Sequence, residues 1–128
     1  MPVEGNPMES NARIVILDTA PDLLNALSQL LGRSGYSVET TTSLVELFDL
    51  LERETFDLLI LEHLPERNWD IRLVAEHLRE GQLKHCIVTS NFLLKEECRD
   101  ESCENIAWLK RPFKSASLVA TITRLLAQ

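Results

Sequence analysis

The sequence predicts a single α/β domain built on a five-stranded parallel sheet with helices on both faces. Short apolar runs alternate along the chain with segments whose apolar residues recur at helical spacing. Strands that are almost continuously apolar are typical of a parallel sheet covered on both sides. A length of 128 residues suffices for one such domain with one sizeable core. We therefore assign residues 12–128 to the domain and residues 1–11 to a disordered lead-in rich in small and polar residues.

The strands are predicted from runs rich in apolar and β-branched residues. The runs RIVIL, DLLIL and KHCIVT are read as the first, third and fourth strands. In chain order, the five strands are expected at residues 13–17, 36–40, 57–61, 84–89 and 106–109.

The helices are predicted from their start signals and from apolar residues on one face. Pro21 stands at a favoured first position of a helix, before the first apolar period. Ser43 is a suitable N-cap for the second helix, and Ser115 is a suitable N-cap for the last. Two further helices are expected between them, at residues 70–80 and at residues 91–99.

This alternation leaves few topologies once crossovers are right-handed, and the flavodoxin-like (βα)5 doubly wound sheet with strand order 2-1-3-4-5 is expected. In such a sheet, the functional crevice lies beyond the carboxyl ends of the strands. The residues selected by this rule are Asp18, Thr19, Glu62, His63, Thr89, Ser90, Lys110 and Arg111.

Composition excludes several classes of function. The formal net charge of −7 disfavours binding to nucleic acid or to an anionic membrane surface. No apolar run approaches the roughly 18 residues that span a bilayer. The three cysteines, Cys86, Cys98 and Cys103, form a sparse and odd set, which favours free thiols and a cytoplasmic location. A zinc or redox role for Cys98 and Cys103 is the weaker alternative, because no second ligand pair lies nearby in sequence.

Five short stretches occur in an order and near a spacing that together indicate a known family. They are IVILDTAP at residues 14–21, GYSV at 35–38, DLLILE at 57–62, IVTS at 87–90 and WLKRPF at 108–113. On these stretches, residues 13–127 resemble the receiver domains of two-component response regulators. The resemblance implies a pocket in which two acidic residues after strand one and an aspartate ending strand three hold Mg²⁺, and in which that aspartate accepts a phosphoryl group.

The resemblance assigns a role to each residue at the strand ends. Asp18 matches the first acidic position, whereas Thr19 stands where the second acidic residue is expected and Glu62 stands at the phosphoacceptor position. Thr89 matches the hydroxyl that contacts phosphoryl oxygens, and Arg111 replaces the lysine that does the same. Trp108 matches the aromatic residue that moves between outward and inward positions, and Ser90 matches the small residue after the hydroxyl.

Three departures from that pattern fall in one pocket. The hydroxyl of Thr19 removes a negative charge from the shell of oxygen ligands that Mg²⁺ requires. Glu62 is longer than aspartate by one methylene group, and a displacement of about 1 Å can cost on the order of 100-fold in a positioned reaction. Arg111 is a planar fork and is not equivalent to a lysine. We therefore expect no phosphotransfer and no enzyme activity, and weak or absent Mg²⁺ binding with Asp18 and Glu62 as residual ligands.

Two arrangements of the altered pocket are open. In the first, Glu62 and Arg111 form a fixed ion pair that replaces the phosphoryl group, with Thr89 bonded to Glu62 and Trp108 packed inward. In the second, the site has decayed, so that Glu62 is solvated and Arg111 faces water. His63 is expected to be a surface-loop residue, with a general-base role as the weaker alternative.

The favoured function is a non-phosphorylatable pseudo-receiver that acts as a protein-interaction module in two-component-type signalling. The implied partner is a histidine kinase, a regulator or an output domain, bound through the face made by the fourth helix, the fifth strand and the fifth helix. A second copy of the chain is an alternative partner. Two other functions are open: an atypical receiver that is still phosphorylated, and a sensor of a small anion that uses Arg111, Lys110 and Thr89. Trp69 is expected to pack beside the pocket, where it could also anchor a partner.

Overall fold

A computed structural model of the chain describes residues 12–63, 70–91 and 105–127. Within these ranges, the chain forms a five-stranded parallel sheet with strand order 2-1-3-4-5. The elements are β1 (Arg13–Leu17), α1 (Pro21–Arg33), β2 (Ser37–Thr41), α2 (Leu44–Arg53), β3 (Phe56–Glu62), α3 (Asp70–Glu80), β4 (Leu83–Ser90), β5 (Ile106–Lys110) and α4 (Ser115–Leu126). The predicted fold class and strand order are confirmed. The helix expected over residues 91–99 and the lead-in at residues 1–11 lie outside the described residues, apart from Asn91.

The sheet divides the core into two clusters, one on each face. The first cluster packs the sheet against α2 and α3, and the second packs it against α1 and α4. Adjacent residues of β3 contribute to opposite clusters, since Leu59 belongs to the first and Ile60 to the second. This alternation follows from the two-residue period of a strand. The central strands are therefore buried on both faces, which explains why their sequences are almost continuously apolar.

Two of the three expected helix starts are found where they were predicted. Pro21 is the first residue of α1, and the side chain of Ser43 accepts a hydrogen bond from the backbone N–H of Glu46 at the start of α2. The prediction for Ser115 is wrong, because Ser115 is already helical and Lys114 occupies the N-cap position without a side-chain cap bond. With Ser115 as the N-cap, the last helix would begin at residue 116, whereas it begins at Ser115.

The register of the sheet brings the ends of four strands together. Leu17 of β1 lies opposite Leu61 of β3, so Asp18 follows directly beside Glu62. Glu62 lies opposite Thr89 of β4. The backbone N–H of Arg111, just beyond β5, donates to the carbonyl oxygen of Ser90 at 2.7 Å. Side chains from four strands thus meet at one edge of the sheet.

The described helices have ordinary lengths for a globular domain. In the described part of the chain, no helix is both long enough and apolar enough to cross a membrane.

Candidate functional site

The residues predicted to form the altered pocket lie together at the carboxyl edge of the sheet. Asp18, Glu62 and Thr89 are buried, with exposed fractions of 3%, 9% and 1%. Thr19 is exposed at the mouth, and Arg111 reaches the pocket from the turn after β5. The strand-end rule therefore selected residues that the fold does bring together.

Glu62 is hydrogen-bonded to Thr19, which stands where the resemblance predicts a second acidic residue. Its Oε1 accepts hydrogen bonds from both the backbone N–H and the hydroxyl of Thr19, each at 2.8 Å. An ionised carboxylate at position 19 could not donate to Glu62, so the side-chain bond depends on the Thr19 hydroxyl, whereas the backbone bond does not. The longer side chain of Glu62 thus spans β3 and the turn that follows β1.

Asp18 is held by donors on both of its oxygens. Its Oδ1 accepts from the backbone N–H of Ala20 at 3.0 Å, and its Oδ2 accepts from Nη1 of Arg111 at 2.8 Å. The same Nη1 donates to the hydroxyl oxygen of Thr89 at 3.0 Å. The contribution of the Ala20 N–H was not predicted, although a residue two positions after an aspartate is a common local donor.

The predicted ion pair between Glu62 and Arg111 is wrong, because each of the two side chains has a different partner. Among the described residues, the ion pair of Arg111 is with Asp18, and its side chain is only 18% exposed. Thr89 accepts from Arg111, and Glu62 is held by Thr19. The alternative of a decayed site is not supported either, because Glu62 is buried and Arg111 is mostly enclosed.

The predicted surface-loop position of His63 is wrong. It is 2% exposed, whereas a surface-loop position was expected. Its backbone N–H donates to the carbonyl oxygen of Thr89 at 2.8 Å, which continues the pairing of β3 with β4 beyond Glu62. Its ring meets Trp108 edge-on, with 6.3 Å between centroids and an interplanar angle of 84°. This burial follows from the continued pairing of β3 with β4, which a sequence pattern does not reveal.

Trp108 is half-buried and packs against the first core cluster. It lies opposite Val88 in the sheet, one residue before Thr89. Trp108 of β5 is therefore one residue out of register with Thr89 of β4, whose hydroxyl accepts the hydrogen bond from Arg111. The predicted role of Trp108 as a switch residue stays a prediction.

An open cleft of about 280 Å³ adjoins Arg111. Leu23, Asn91, Arg111, Pro112 and Phe113 line it. No sequence pattern predicts this cleft, because it depends on the approach of α1 to the turn after β5. Among the described residues, its lining combines apolar side chains with one guanidinium, which suits a small group that carries a negative charge.

The oxygen atoms of this pocket do not suit a hard divalent cation. Both oxygens of Asp18 and one oxygen of Glu62 already accept hydrogen bonds from the protein, and Thr19 offers a neutral hydroxyl. Mg²⁺ prefers charged oxygen ligands in a near-ideal octahedron, so these bonds would have to be broken first. Among the described residues, no group of three or more His, Cys, Asp or Glu side chains is arranged to hold a metal ion.

The remaining candidates from the sequence are only partly described. Cys86 is fully buried in β4, as expected for a small apolar residue. His77 lies on α3, where its ring stacks on Phe48 at 5.5 Å. Trp69, Cys98 and Cys103 lie outside the described residues.

Solved structures of receiver domains share this fold. A response regulator from Thermotoga maritima superimposes with a TM-score of 0.75 at 19% identity, covering 92% of this chain and 99% of that one. The signal receiver domain of an HD domain-containing protein from Pseudomonas fluorescens Pf-5 gives a TM-score of 0.75 at 20% identity, covering 91% and 95%. A beryllofluoride-activated NtrC4 receiver domain, described as a dimer, gives a TM-score of 0.71 at 20% identity, covering 90% and 96%.

Sequence comparison adds nothing to this likeness. No protein-family model matches the chain, and no curated protein matches it. At these identities the structural likeness establishes the fold, which is the CheY-like, flavodoxin-like fold of response regulator receiver domains.

Proposed function

We propose that this domain is a pseudo-receiver, a protein-interaction module of two-component-type signal transduction that works without phosphotransfer. One observation carries the proposal. Glu62, at the position of the phosphoacceptor, is buried and its Oε1 is held by two hydrogen bonds from Thr19. A nucleophile must be able to approach the phosphorus atom in line, and a carboxylate fixed in this way is poorly placed to do so.

The electrostatics of the pocket support the same proposal. In phosphoryl transfer, metal ions and cationic side chains neutralise charge on the transferred group. Here the cationic side chain of Arg111 is directed to Asp18 at 2.8 Å, and Asp18 is the one acidic residue retained after β1. We therefore propose that Mg²⁺ binding is weak or absent and that the domain carries no catalytic residue of its own.

Phosphorylation in vitro tests the proposal directly. The protein is incubated with Mg²⁺ and acetyl phosphate, and its intact mass is measured. We expect no phosphorylated species. The triple variant Thr19→Asp, Glu62→Asp, Arg111→Lys restores the acidic pair, the shorter acceptor and the lysine, so it serves as the positive control for the assay. A stoichiometric gain of one phosphoryl group by the unaltered protein would overturn the proposal in favour of an active, atypical receiver.

The partner surface is proposed to include β5 and α4, which is the last of the five helices expected from the sequence. The described part of this face carries the cations Lys110, Lys114 and Arg124, although the whole chain has a net charge of −7. The outer face of α4 presents small exposed side chains, including Ala116 and Ala120, which allow close approach of another protein. A histidine kinase, a regulator, an output domain or a second copy of the chain would meet these requirements.

A pair of matched variants locates that surface. Ala120→Arg places a long charged side chain on the exposed face of α4, and Ala26→Arg makes the same change on the exposed face of α1. In a pull-down from the native cell, we expect the unaltered protein and Ala26→Arg to recover the same partner, and Ala120→Arg to lose it. Sedimentation of the three proteins would show whether self-association follows the same pattern.

The cleft beside Arg111 favours one second candidate, a sensor of a small anion. Its lining combines a guanidinium with the apolar side chains of Leu23 and Phe113. A ligand that binds only the native state raises the unfolding midpoint. A rise in the midpoint with inorganic phosphate that saturates, and that is lost in Phe113→Ala, would support the sensor.

A further inference from the structure

The contacts of Arg111 join the carboxyl ends of three strands. Asp18 follows β1, Thr89 lies in β4 and Arg111 follows β5. One nitrogen, Nη1 of Arg111, donates both to Oδ2 of Asp18 at 2.8 Å and to Oγ1 of Thr89 at 3.0 Å. A single positive group therefore sits between a buried carboxylate and a buried hydroxyl.

The burial of this pair distinguishes it from a surface salt bridge. The side chains of Arg111 and Asp18 are 18% and 5% exposed. Exposed ion pairs contribute little, whereas removal of one member of a buried pair leaves an uncompensated charge. The carboxylate of Asp18 therefore needs a cation beside it in the folded domain, and the chain supplies that cation itself.

A dissolved divalent ion would have to compete with this internal cation. Mg²⁺ could bind Asp18 only after displacing Nη1, which would leave two positive groups side by side in a mostly buried pocket. The guanidinium is tethered to the end of β5, so its local concentration at Asp18 is high whatever the composition of the solution. The guanidinium also keeps its charge at every physiological pH.

We propose that the guanidinium of Arg111 is a built-in cation that takes the place of a divalent metal ion and holds Asp18 and Thr89 in one arrangement. This inference deepens the proposed function, on which it rests, by naming what keeps the pocket in a single state. The strand ends of the domain should then be insensitive to Mg²⁺, and removal of the guanidinium should make them responsive.

The unaltered protein provides the first test. Backbone amide resonances of Thr19, Ala20 and Thr89 are followed by NMR during a titration with Mg²⁺, and again with sodium chloride at matched ionic strength. We expect the two titrations to give the same small, non-saturating shifts. Saturating shifts at these three amides with Mg²⁺ alone would overturn the inference.

A pair of arginine variants provides the second test. Arg111→Ala removes the internal cation, whereas Arg53→Ala removes an exposed arginine paired with Asp49 on α2 and serves as the matched control. We expect Arg111→Ala to show saturating Mg²⁺-dependent shifts at the same three amides, with an affinity at least about 5-fold above the limit set by the unaltered protein, the low end of typical coupling between two binding events. Its unfolding midpoint should fall without Mg²⁺ and recover in part with Mg²⁺. Arg53→Ala should match the unaltered protein in both measurements.

Arg111→Gln covers the case in which the alanine variant does not fold. Glutamine keeps much of the side-chain length and can still donate a hydrogen bond, but it carries no charge, so this variant should also show saturating Mg²⁺-dependent shifts. Non-saturating shifts in every folded variant that lacks the Arg111 charge would overturn the inference.

The outcomes separate this inference from the proposed lack of phosphotransfer, because the Mg²⁺ titrations contain no phosphodonor and the acetyl phosphate assay does. Saturable Mg²⁺ binding without a gain of a phosphoryl group in the acetyl phosphate assay refutes the inference and the proposed weak binding of Mg²⁺, but leaves the proposed lack of phosphotransfer standing. A protein that gains a phosphoryl group refutes the proposed function, whatever its response to Mg²⁺ alone.

Discussion

At position 62, one additional methylene group relative to aspartate changes which neighbours a carboxylate can contact. The Oε1 atom of Glu62 lies 2.8 Å from both the backbone nitrogen and the hydroxyl oxygen of Thr19. The two substitutions therefore compensate for each other, since a hydroxyl donates to the longer acid where a second carboxylate would repel it. This local pairing links β3 to the turn after β1 through two hydrogen bonds.

The Thr19 hydroxyl can be tested by its removal. Thr19→Ala keeps the backbone N–H bond to Glu62 but loses the hydroxyl bond, so we expect a loss of about 1 kcal/mol in the free energy of unfolding. Urea denaturation measures the change. Thr123→Ala is the control, because the exposed Thr123 hydroxyl bonds only within α4 and alanine favours a helix. Equal stabilities of Thr19→Ala and the unaltered protein would show that the hydroxyl bond contributes nothing.

His85 makes the stability of the domain depend on pH. Burial lowers the pKa of His85 below its ordinary value of 6.5, the adjacent Lys84 lowers that pKa further, and Asp57 partly opposes both. Its Nδ1 is buried and has no hydrogen-bond partner among the described residues, which is consistent with a neutral ring in the folded state. At His85, the unfolded chain therefore binds more protons than the folded chain in the pH range between the lowered folded-state pKa and about 6.5.

The sign of this pH dependence follows directly. The His85 contribution to the free energy of unfolding is unaffected by pH above 6.5, falls as the pH falls below 6.5, and levels off below the folded-state pKa. We expect His85→Leu to lose less stability than the unaltered protein between pH 7.5 and pH 5.5, measured by urea denaturation. Parallel stability curves for the two proteins would contradict the assignment.

The composition of the site could be predicted from the sequence, but its pairing could not. Asp18, Glu62, Thr89 and Arg111 all follow from the rule that parallel strands meet at their carboxyl ends. Whether Arg111 contacts Asp18 or Glu62 depends on differences of about 1 Å in side-chain position. A sequence pattern does not contain that information. Burial of His63 depends in the same way on how far the pairing of β3 with β4 continues.

At the scale of single elements, the two serines at helix starts give a matched pair of predictions. Ser43 caps α2, since its side chain accepts from the N–H of Glu46 at 3.1 Å, whereas Ser115 makes no cap bond for α4. Ser43→Ala should therefore cost about 1 kcal/mol of the free energy of unfolding, and Ser115→Ala should cost almost nothing. Thermal denaturation of both variants measures the difference. Equal losses would show that side-chain capping does not distinguish the two helices.

Element boundaries were predicted less well than element types, for a physical reason. The sequence placed the end of β4 at Thr89, but pairing with Lys110 of β5 extends the strand to Ser90. The sequence also placed β2 at residues 36–40, whereas its pairing with Arg13–Leu17 sets it at Ser37–Thr41. A strand ends where its neighbour stops offering hydrogen bonds, which is information that lies elsewhere in the chain.

At the scale of the whole molecule, one sheet serves two cores. The cluster between the sheet and α2–α3 and the cluster between the sheet and α1–α4 share every central strand as a common wall. Neither pair of helices can leave without exposing one face of the same strands. We therefore expect the domain to unfold as one cooperative unit, as small single domains usually do.

Adjacent residues of β3 test this cooperativity, because they face opposite cores. Leu59 and Ile60 are 0% and 2% exposed and belong to different clusters, so alanine at either position should cost about 2–5 kcal/mol. Tryptophan fluorescence includes Trp108, which packs only on the first cluster, whereas circular dichroism reports all helices. If the sheet couples the two cores, Ile60→Ala should shift both signals to the same lower denaturant midpoint, as Leu59→Ala does. Val45→Ala, at a side chain 82% exposed, is the control and should shift neither. Separate midpoints for the two signals in Ile60→Ala would mean that each face of the sheet unfolds independently.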